Sequence, residues 1–359
     1  MEEIHIKSSS HDYIVTMGEG IRSTLKAFLK KEYSSIFIVT DDTVGKLYLK
    51  DVLGGLEEEK NVFYTEVHAG EQSKDFETFH RLHTTALENG LDRNSLVVAL
   101  GGGVVGDLAG FVAATFMRGI DYVQVPTTIL AHDSSVGGKV AINHAFGKNL
   151  IGSFYPPVAV IYDTETLATL PGKEIRSGYA ELIKEALITD EASVTSVLDA
   201  DLNKLSSNQL RMHIKAGIAT KASIVQQDER EAGVRKFLNL GHTLGHAIES
   251  NYGYGKLTHG EAVAIGTLFA LHVSEDIFNN ELPFNDVYNW LQANRYPLDS
   301  SILVETDALI NKMKADKKTV DTNIQMVLLQ NIGKPINRTI SDEELKNYLL
   351  SFSKRLVNS

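Results

Sequence analysis

In the first half of the chain, short apolar runs alternate with stretches of helical period, and from Pro171 onward the helical period takes over. Residues 35–40 (S-I-F-I-V-T) and 95–100 (S-L-V-V-A-L) are continuous apolar runs, the pattern of parallel strands buried on both faces. Further strands are predicted over 4–7, 12–17, 61–67, 122–125 and 158–162. Helices are predicted over 21–31, from Thr43, over 73–89, and in the apolar stretch that runs through Phe116. This alternation predicts an open, mostly parallel sheet of Rossmann type. The second half predicts helices over 174–189, 209–229, 237–250, 286–293, 305–313 and 342–352, with a strand over 324–329. Residues 261–272 (E-A-V-A-I-G-T-L-F-A-L-H) are apolar nearly all round, which predicts a helix buried among others. The expected architecture is an α/β domain over 1–167 and an all-α domain over 168–359.

Several strand ends carry candidate chemistry. Gly101-Gly102-Gly103-Val104-Val105-Gly106-Asp107 lies between a strand and a helix and fits G-x-G-x-x-G. Glycine there lets backbone approach a pyrophosphate, whose charge the helix N-terminus favours. The acid that holds the ribose should end the next strand. Asp121 has that spacing but begins a strand, so Asp41, at the end of an earlier one, is the better candidate. A helix cap is the plain alternative for Asp41. Gly70, Glu71, Gln72, Ser73 and Lys74 sit at another strand-to-helix junction, as do Thr127 and Thr128 after Pro126. Such junctions line the ligand crevice. Lys139 and Lys148 each follow glycine and supply candidate phosphate-binding charges; a solvated loop lysine is the alternative for either alone.

The densest cluster is N-L-G-H-T-L-G-H-A-I-E, then T-H-G-E, between Asn239 and Glu261. His242 and His246 are four apart and project from one helical face. His259 opens a second helix after a glycine-rich turn. A histidine pair alone reads as structural; the third histidine makes a metal site an equal alternative, because zinc takes imidazole and carboxylate ligands. Glu181 and Lys184, three apart on one helix, read on their own as an exposed ion pair.

Composition narrows the partners. With 43% apolar and 23% charged residues the chain is globular. A net charge of −11 argues against nucleic acid, which needs clustered excess cations. There is no cysteine, so any metal must use His, Asp or Glu. No apolar run reaches membrane-spanning length, and the first residues lack the basic and apolar regions of a signal peptide. A soluble, cytoplasmic protein is the expectation.

Taken together, the motifs resemble the 3-dehydroquinate synthase family. They are G-E-Q-S-K, G-G-G-V-V-G-D, F-M-R-G-I, P-T-T, D-S-S-V-G-G-K, G-K-N-L-I-G, Y-A-E-L-I-K, N-L-G-H-T-L-G-H-A-I-E, T-H-G-E and D-K-K. They stand in family order over nearly the whole chain. The resemblance implies an N-terminal NAD-binding domain, a C-terminal helical metal domain and a homodimer. It implies Glu181, His242 and His259 as ligands of Zn2+ or Co2+, which turns His246 from the metal to the substrate. NAD+ contacts are implied for Asp41, Gly70, Glu71, Gln72, Ser73, Lys74, Gly103, Val104, Val105, Gly106, Asp107, Thr127, Thr128, Lys139, Lys148, Thr166, Leu167, Ala168 and Thr169. Catalytic and substrate roles are implied for Asp133, Lys139, Asn149, Lys184, Lys221, Arg235, Asn239 and His246, with Lys317 or Lys318. Arg118 is implied to reach the neighbouring subunit's phosphate. The segment before Asp133 departs from the commonest family form, leaving His132 without a role.

The implied reaction is the shikimate-pathway conversion of 3-deoxy-D-arabino-heptulosonate 7-phosphate to 3-dehydroquinate and phosphate. It runs through transient oxidation by NAD+, phosphate elimination, reduction, ring opening and intramolecular aldol closure. Two alternatives are a sister sugar-phosphate cyclase acting on a carboxylate-free substrate and a metal-dependent polyol dehydrogenase that releases NADH. Lys221 and Arg235 argue for a carboxylate-bearing substrate, because buried cations without an anion are costly.

Overall fold

A computed structural model describes residues 1–252, 256–316 and 324–358. The chain divides into two compact units, Met1–Leu170 with Lys221–Arg230, and Pro171–Thr220 with Glu231–Ser359. Lys221–Arg230, placed in the helical half by the sequence, therefore groups with the first unit.

The first unit contains β1 (Glu2–Ile6), β2 (Tyr13–Gly18), β3 (Ile36–Asp41), β4 (Val62–Val67), β5 (Leu96–Gly101), β6 (Asp121–Pro126), β7 (Lys139–His144), β8 (Gly147–Phe154) and β9 (Ala159–Asp163). Seven of these form one sheet in the order β1-β2-β9-β6-β5-β3-β4. Every neighbouring pair is parallel except β1 with β2. Side chains of β3 and β5 alternate between two cores. Phe37, Val39, Val97 and Ala99 pack with Leu82, Val105 and Leu108. Ile36, Ile38, Leu96, Val98 and Leu100 pack with Leu25, Tyr48 and Val52. Burial on both faces is why these strands read as unbroken apolar runs.

β4 lies on one side of β3 and β5 on the other, so the strand order reverses there. Thr40 pairs with Leu100, which sets Asp41 beside the Gly101-Gly102-Gly103 turn. Ligands of open α/β sheets bind at such a switch point, beyond the carboxyl ends of the strands.

Several expected elements differ in detail. The helix expected over 21–31 is a tight 3-10 segment, Ile21–Phe28, broken at Thr24 with φ −124°. The one expected over 73–89 is the helix Phe76–Glu88, started by the Asp75 carboxylate accepting the Thr78 N–H, with a separate turn at Glu71–Ser73. The stretches holding Lys139 and Lys148, aperiodic in sequence, are the antiparallel pair β7–β8, whose register is irregular between Ile142 and His144.

The second unit is organised around the helix His259–Phe278, buried from Gly260 through Leu271. Two helices approach it through glycines. A Cβ at Gly260 would lie 2.0 Å from the Ser177 carbonyl oxygen of the helix Gly172–Thr189. A Cβ at Gly266 would lie 2.0 Å from the carbonyl oxygen of Gly241, just before the helix His242–Tyr252. Gly241 itself has φ 78°, a left-handed position that glycine takes without penalty. It breaks the helix expected over 237–250 into the 3-10 turn Val234–Asn239 and the helix His242–Tyr252. The unit is not wholly helical, because β10 (Ile324–Leu329) and β11 (Pro335–Ile340) form an antiparallel pair. Among the described residues, no helix is long and apolar enough to cross a membrane.

Candidate functional site

In the second unit, three helices deliver a carboxylate and three imidazoles to one place. Glu181, only 2% exposed, points Oε1 at two histidines, 3.5 Å from His242 Nε2 and 3.2 Å from His259 Nε2. Around a tetrahedral ion with bonds of about 2.1 Å, neighbouring donors stand roughly 3.4 Å apart. The two distances bracket that spacing. His242, His246 and His259 also offer ring nitrogens that all lie within 4.8 Å of one another. The geometry thus admits a carboxylate set and a histidine-only set, and the Glu181 contacts are the tighter.

The far side of each imidazole is already engaged. His242 Nδ1–H donates to the Leu240 carbonyl at 3.2 Å. His259 Nδ1–H donates to Glu249 Oε2 at 3.3 Å. Both hydrogen bonds leave Nε2, the nitrogen facing Glu181, as the lone-pair donor; metal-binding histidines are oriented this way. Glu249 is the last residue of the motif N-L-G-H-T-L-G-H-A-I-E, and the resemblance implied no role for it. It lies seven residues after His242 and so on the same helical face, a signal present in the spacing.

Electrostatics fit a cation. Burial lowers His242 to about 3, outweighing the Glu181 charge. Burial also opposes charge on His259, but the carboxylates of Glu181 and Glu249 on either side favour positive charge there and raise it to about 9, so a bound cation takes the place of a proton on Nε2. Lys184, 1% exposed, forms an ion pair with Glu181 Oε2. The pair is buried, not the exposed one its spacing suggested. The start of the His259 helix is fastened by a capping box between Thr258 and Glu261, and Arg176 donates to Glu261 Oε1 at 2.9 and 2.8 Å.

In the first unit, the turn after β5 opens the helix Gly103–Thr115. A Cβ on Gly102 would meet Thr128 Cγ2 at 2.9 Å, and one on Gly103 would meet Ser134 Oγ at 3.0 Å. Thr127 Oγ1, Thr128 Oγ1 and Ser134 Oγ are buried and, among the described residues, make no hydrogen bond. Buried hydroxyls ordinarily have partners. Three orphans beside a glycine turn and a helix N-terminus fit a polar, anionic ligand. Asp41 Oδ1 accepts the N–H groups of Thr43 and Val44, each at 2.9 Å. Asp41 thus closes a local turn ahead of the segment Gly45–Leu49, which has Val44 at its own cap, and it uses one carboxylate oxygen to do so.

Beside this crevice the Lys74 ammonium, 4% exposed, donates to Asp107 Oδ2 and Asn149 Oδ1. Burial pushes the Asp107 carboxyl up even with the Lys74 charge beside it. Lys148 sits 3.5 Å from Glu71. Asp133 Oδ2 is 2.9 Å from Lys221 Nζ, which also donates to the Asp133 carbonyl. Lys221, read from sequence as a partner for a substrate carboxylate, is thus already paired with an acid.

The chain is similar to known proteins along nearly its whole length. Models of the N-terminal and C-terminal parts of 3-dehydroquinate synthase match residues 64–177 and 178–319. A 3-dehydroquinate synthase of Oceanobacillus iheyensis is 57% identical over 356 residues, 99% of each chain. The chain belongs to the 3-dehydroquinate synthase family. Among solved structures, a 2-deoxy-scyllo-inosose synthase in complex with carbaglucose-6-phosphate, NAD+ and Co2+ is 28% identical. It covers 97% of this chain and 99% of its own, with a TM-score of 0.88. A 2-epi-5-epi-valiolone synthase from Streptomyces hygroscopicus subsp. jinggangensis 5008 shares the fold, with a TM-score of 0.84 at 23% identity over 97% and 99% of the two chains.

The remaining residues implied by the 3-dehydroquinate synthase resemblance are placed as follows. Arg235 is 1% exposed, and the Asn239 amide donates to Glu231 Oε1 at 2.8 Å. Lys139 is exposed at the start of β7. Arg118 is exposed in a turn where Met117 and Arg118 take φ 49° and 72°. The Thr166 hydroxyl is buried and donates to the Asp163 carbonyl at 2.7 Å, and Thr169 Oγ1 is 2.7 Å from the Tyr48 hydroxyl. These two hydroxyls are engaged within the fold, so contacts from residues 166–169 would have to come from other atoms. His132 is fully buried and donates from Nδ1 to the Ile129 carbonyl at 2.6 Å, which gives it a structural role. Lys317 and Lys318 lie outside the described residues.

Proposed function

We propose that the chain converts 3-deoxy-D-arabino-heptulosonate 7-phosphate to 3-dehydroquinate and phosphate. It does so as a carbon–oxygen lyase that needs NAD+ and one divalent cation, zinc or cobalt, and consumes neither. The observation that carries this reading is the 57% identity over 99% of both chains to a 3-dehydroquinate synthase. The solved relative with NAD+ and Co2+ supports the same pair of cofactors. The three orphaned hydroxyls and the glycine turn suit the dinucleotide pyrophosphate; Glu181, His242 and His259 suit the cation. When bound, the cation acidifies a substrate hydroxyl while the nicotinamide takes up and returns a hydride.

The chain's own residues do the rest. Lys184 holds Glu181 ionised, because a buried carboxylate beside an ammonium keeps its charge. Glu249 and the Leu240 carbonyl aim the two imidazoles. His246, one helical turn from His242, serves the substrate with Asn239. Lys139 and Asn149 hold the phosphate, which can itself accept the proton lost in elimination. Arg235 pairs the substrate carboxylate with its planar fork. Lys221 reaches that carboxylate only by exchanging Asp133 for it. The working form is a homodimer in which Arg118 contacts the phosphate bound by the neighbouring copy. Its backbone conformation supports this, since left-handed non-glycine residues concentrate at ligand clamps.

A sister cyclase on a carboxylate-free sugar phosphate is the second reading, favoured by the solved relative at 28% identity. The test is incubation with the heptulosonate phosphate, NAD+ and zinc. Phosphate and 3-dehydroquinate should appear in equal amounts with no net NADH. Turnover of sedoheptulose 7-phosphate or glucose 6-phosphate instead would favour the sister reading. Accumulating NADH would point to a dehydrogenase.

A further inference from the structure

Asn143, in β7, has no role in the reading above, yet it touches three residues that do. Its N–H donates to the Lys74 carbonyl at 2.7 Å. Its Nδ2 donates to Glu71 Oε1 at 2.7 Å. Its Oδ1 accepts the N–H of Asn149 at 3.0 Å. Lys74 Nζ in turn donates to Asn149 Oδ1, which closes a ring through Lys74, Asn149 and Asn143. Glu71 and Lys74 belong to the turn read as binding the dinucleotide, and Asn149, near the start of β8, is read as binding phosphate.

The ring has a chemical consequence. Asn149 sits at φ 56°, a conformation that asparagine tolerates but does not prefer. Its backbone is held there by Asn143 Oδ1. Its side-chain oxygen is occupied by Lys74, so the amide turns its two N–H donors away from the ammonium. An anion needs donors, and a carbonyl oxygen presented to it would repel it. Lys74 thus settles which end of the Asn149 amide a phosphate meets, while Asn143 fixes the backbone that carries that amide and anchors the carboxylate and carbonyl of the G-E-Q-S-K turn at the same time.

We propose that Asn143 is a positioning residue that links the dinucleotide turn to the phosphate-holding Asn149 in β8. This rests on the functional reading above. Replacing Asn143 with Ala removes the Glu71 and Asn149 links while leaving its backbone bond to Lys74. Replacing it with Asp keeps an acceptor for Asn149 but sets a negative charge against Glu71.

The experiment measures NAD+ binding by calorimetry, and KM and kcat for the heptulosonate phosphate, in the wild type, Asn143→Ala and Asn143→Asp. Circular dichroism checks folding. Asn143→Ala should weaken NAD+ and raise the substrate KM, each by about tenfold, with kcat within about twofold. Asn143→Asp should weaken NAD+ at least as much while holding the substrate KM nearer the wild-type value. A lowered melting temperature with unchanged NAD+ affinity and KM would overturn the proposal, because that is what a purely structural residue gives. If the wild type itself binds no NAD+, the functional reading fails and the proposal with it. If the wild type binds and both variants bind equally well, only the proposal fails.

Discussion

The glycine crevice of the first unit and the histidine cluster of the second are built from opposite materials. The crevice is made by backbone: two glycines whose Cβ positions are blocked by Thr128 and Ser134, a helix N-terminus, and hydroxyls around them. Its parts come from the ends of successive strands, between Asp41 and Ser134. The cluster is made by side chains on three helices, and its key carboxylate is more than sixty residues from His242, the nearer of the two histidines it faces. A backbone site fails when something is added to it. A side-chain site fails when something is taken away.

The largest effect should come from removing the shared carboxylate. Glu181→Ala deletes the oxygen that faces both Nε2 atoms and leaves Lys184 buried without its partner. Turnover should fall below detection and zinc should be lost on dialysis, as read by elemental analysis, while NAD+ binding persists. The complementary change is Gly103→Val. It adds bulk against Ser134 and should abolish measurable NAD+ binding by calorimetry while one zinc per chain remains. If either variant lost both ligands with its fold intact, the two sites would not be separable in this way.

An intermediate effect is expected at Glu249. Glu249→Gln keeps the shape but weakens the hydrogen bond that orients His259. Zinc affinity should drop by about ten- to a hundredfold, measured by competition with a chelator, with the melting temperature of the metal-free protein nearly unchanged.

The smallest effect lies away from both sites, at His213. Tyr179 shares a hydrogen bond with its Nδ1 at 3.0 Å, and its Nε2 is 3.3 Å from Ser196 Oγ. Burial lowers its pKa in the folded chain. The unfolded chain therefore binds the proton first, so this group's stabilisation is complete above the ordinary imidazole pKa of about 6.5. It declines as pH falls below that value, until the folded pKa is passed. Urea midpoints between neutral and mildly acidic pH should show this decline, and His213→Gln should flatten part of it. An identical slope in the variant would remove His213 from the acid sensitivity.

The same contrast explains what could be read in advance. The runs at β3 and β5 were legible because burial on two faces leaves an unbroken apolar signature, and the glycine turn after β5 because it stands between such a run and a helix. The β7–β8 pair was not: β8 is mostly exposed, so K-V-A-I-N-H and G-K-N-L-I-G-S-F carry little apolar alternation. The break at Leu240-Gly241 was hidden because the apolar period continues across it. Glu181 was the least legible from local pattern. Three residues before a lysine on a helix, it matched a surface ion pair, and only tertiary packing reveals that both groups are buried. The family resemblance, carried by motifs spread over the whole chain, supplied the role that spacing could not.

We propose that one cation sits where Glu181 Oε1 meets His242 and His259. X-ray absorption at the zinc edge of the reconstituted, substrate-free protein tests it most directly. One zinc per chain is expected, with two imidazoles and at least one carboxylate oxygen, and one imidazole should be lost in His259→Ala but none in His246→Ala. A three-imidazole sphere that loses a ligand in His246→Ala would contradict it.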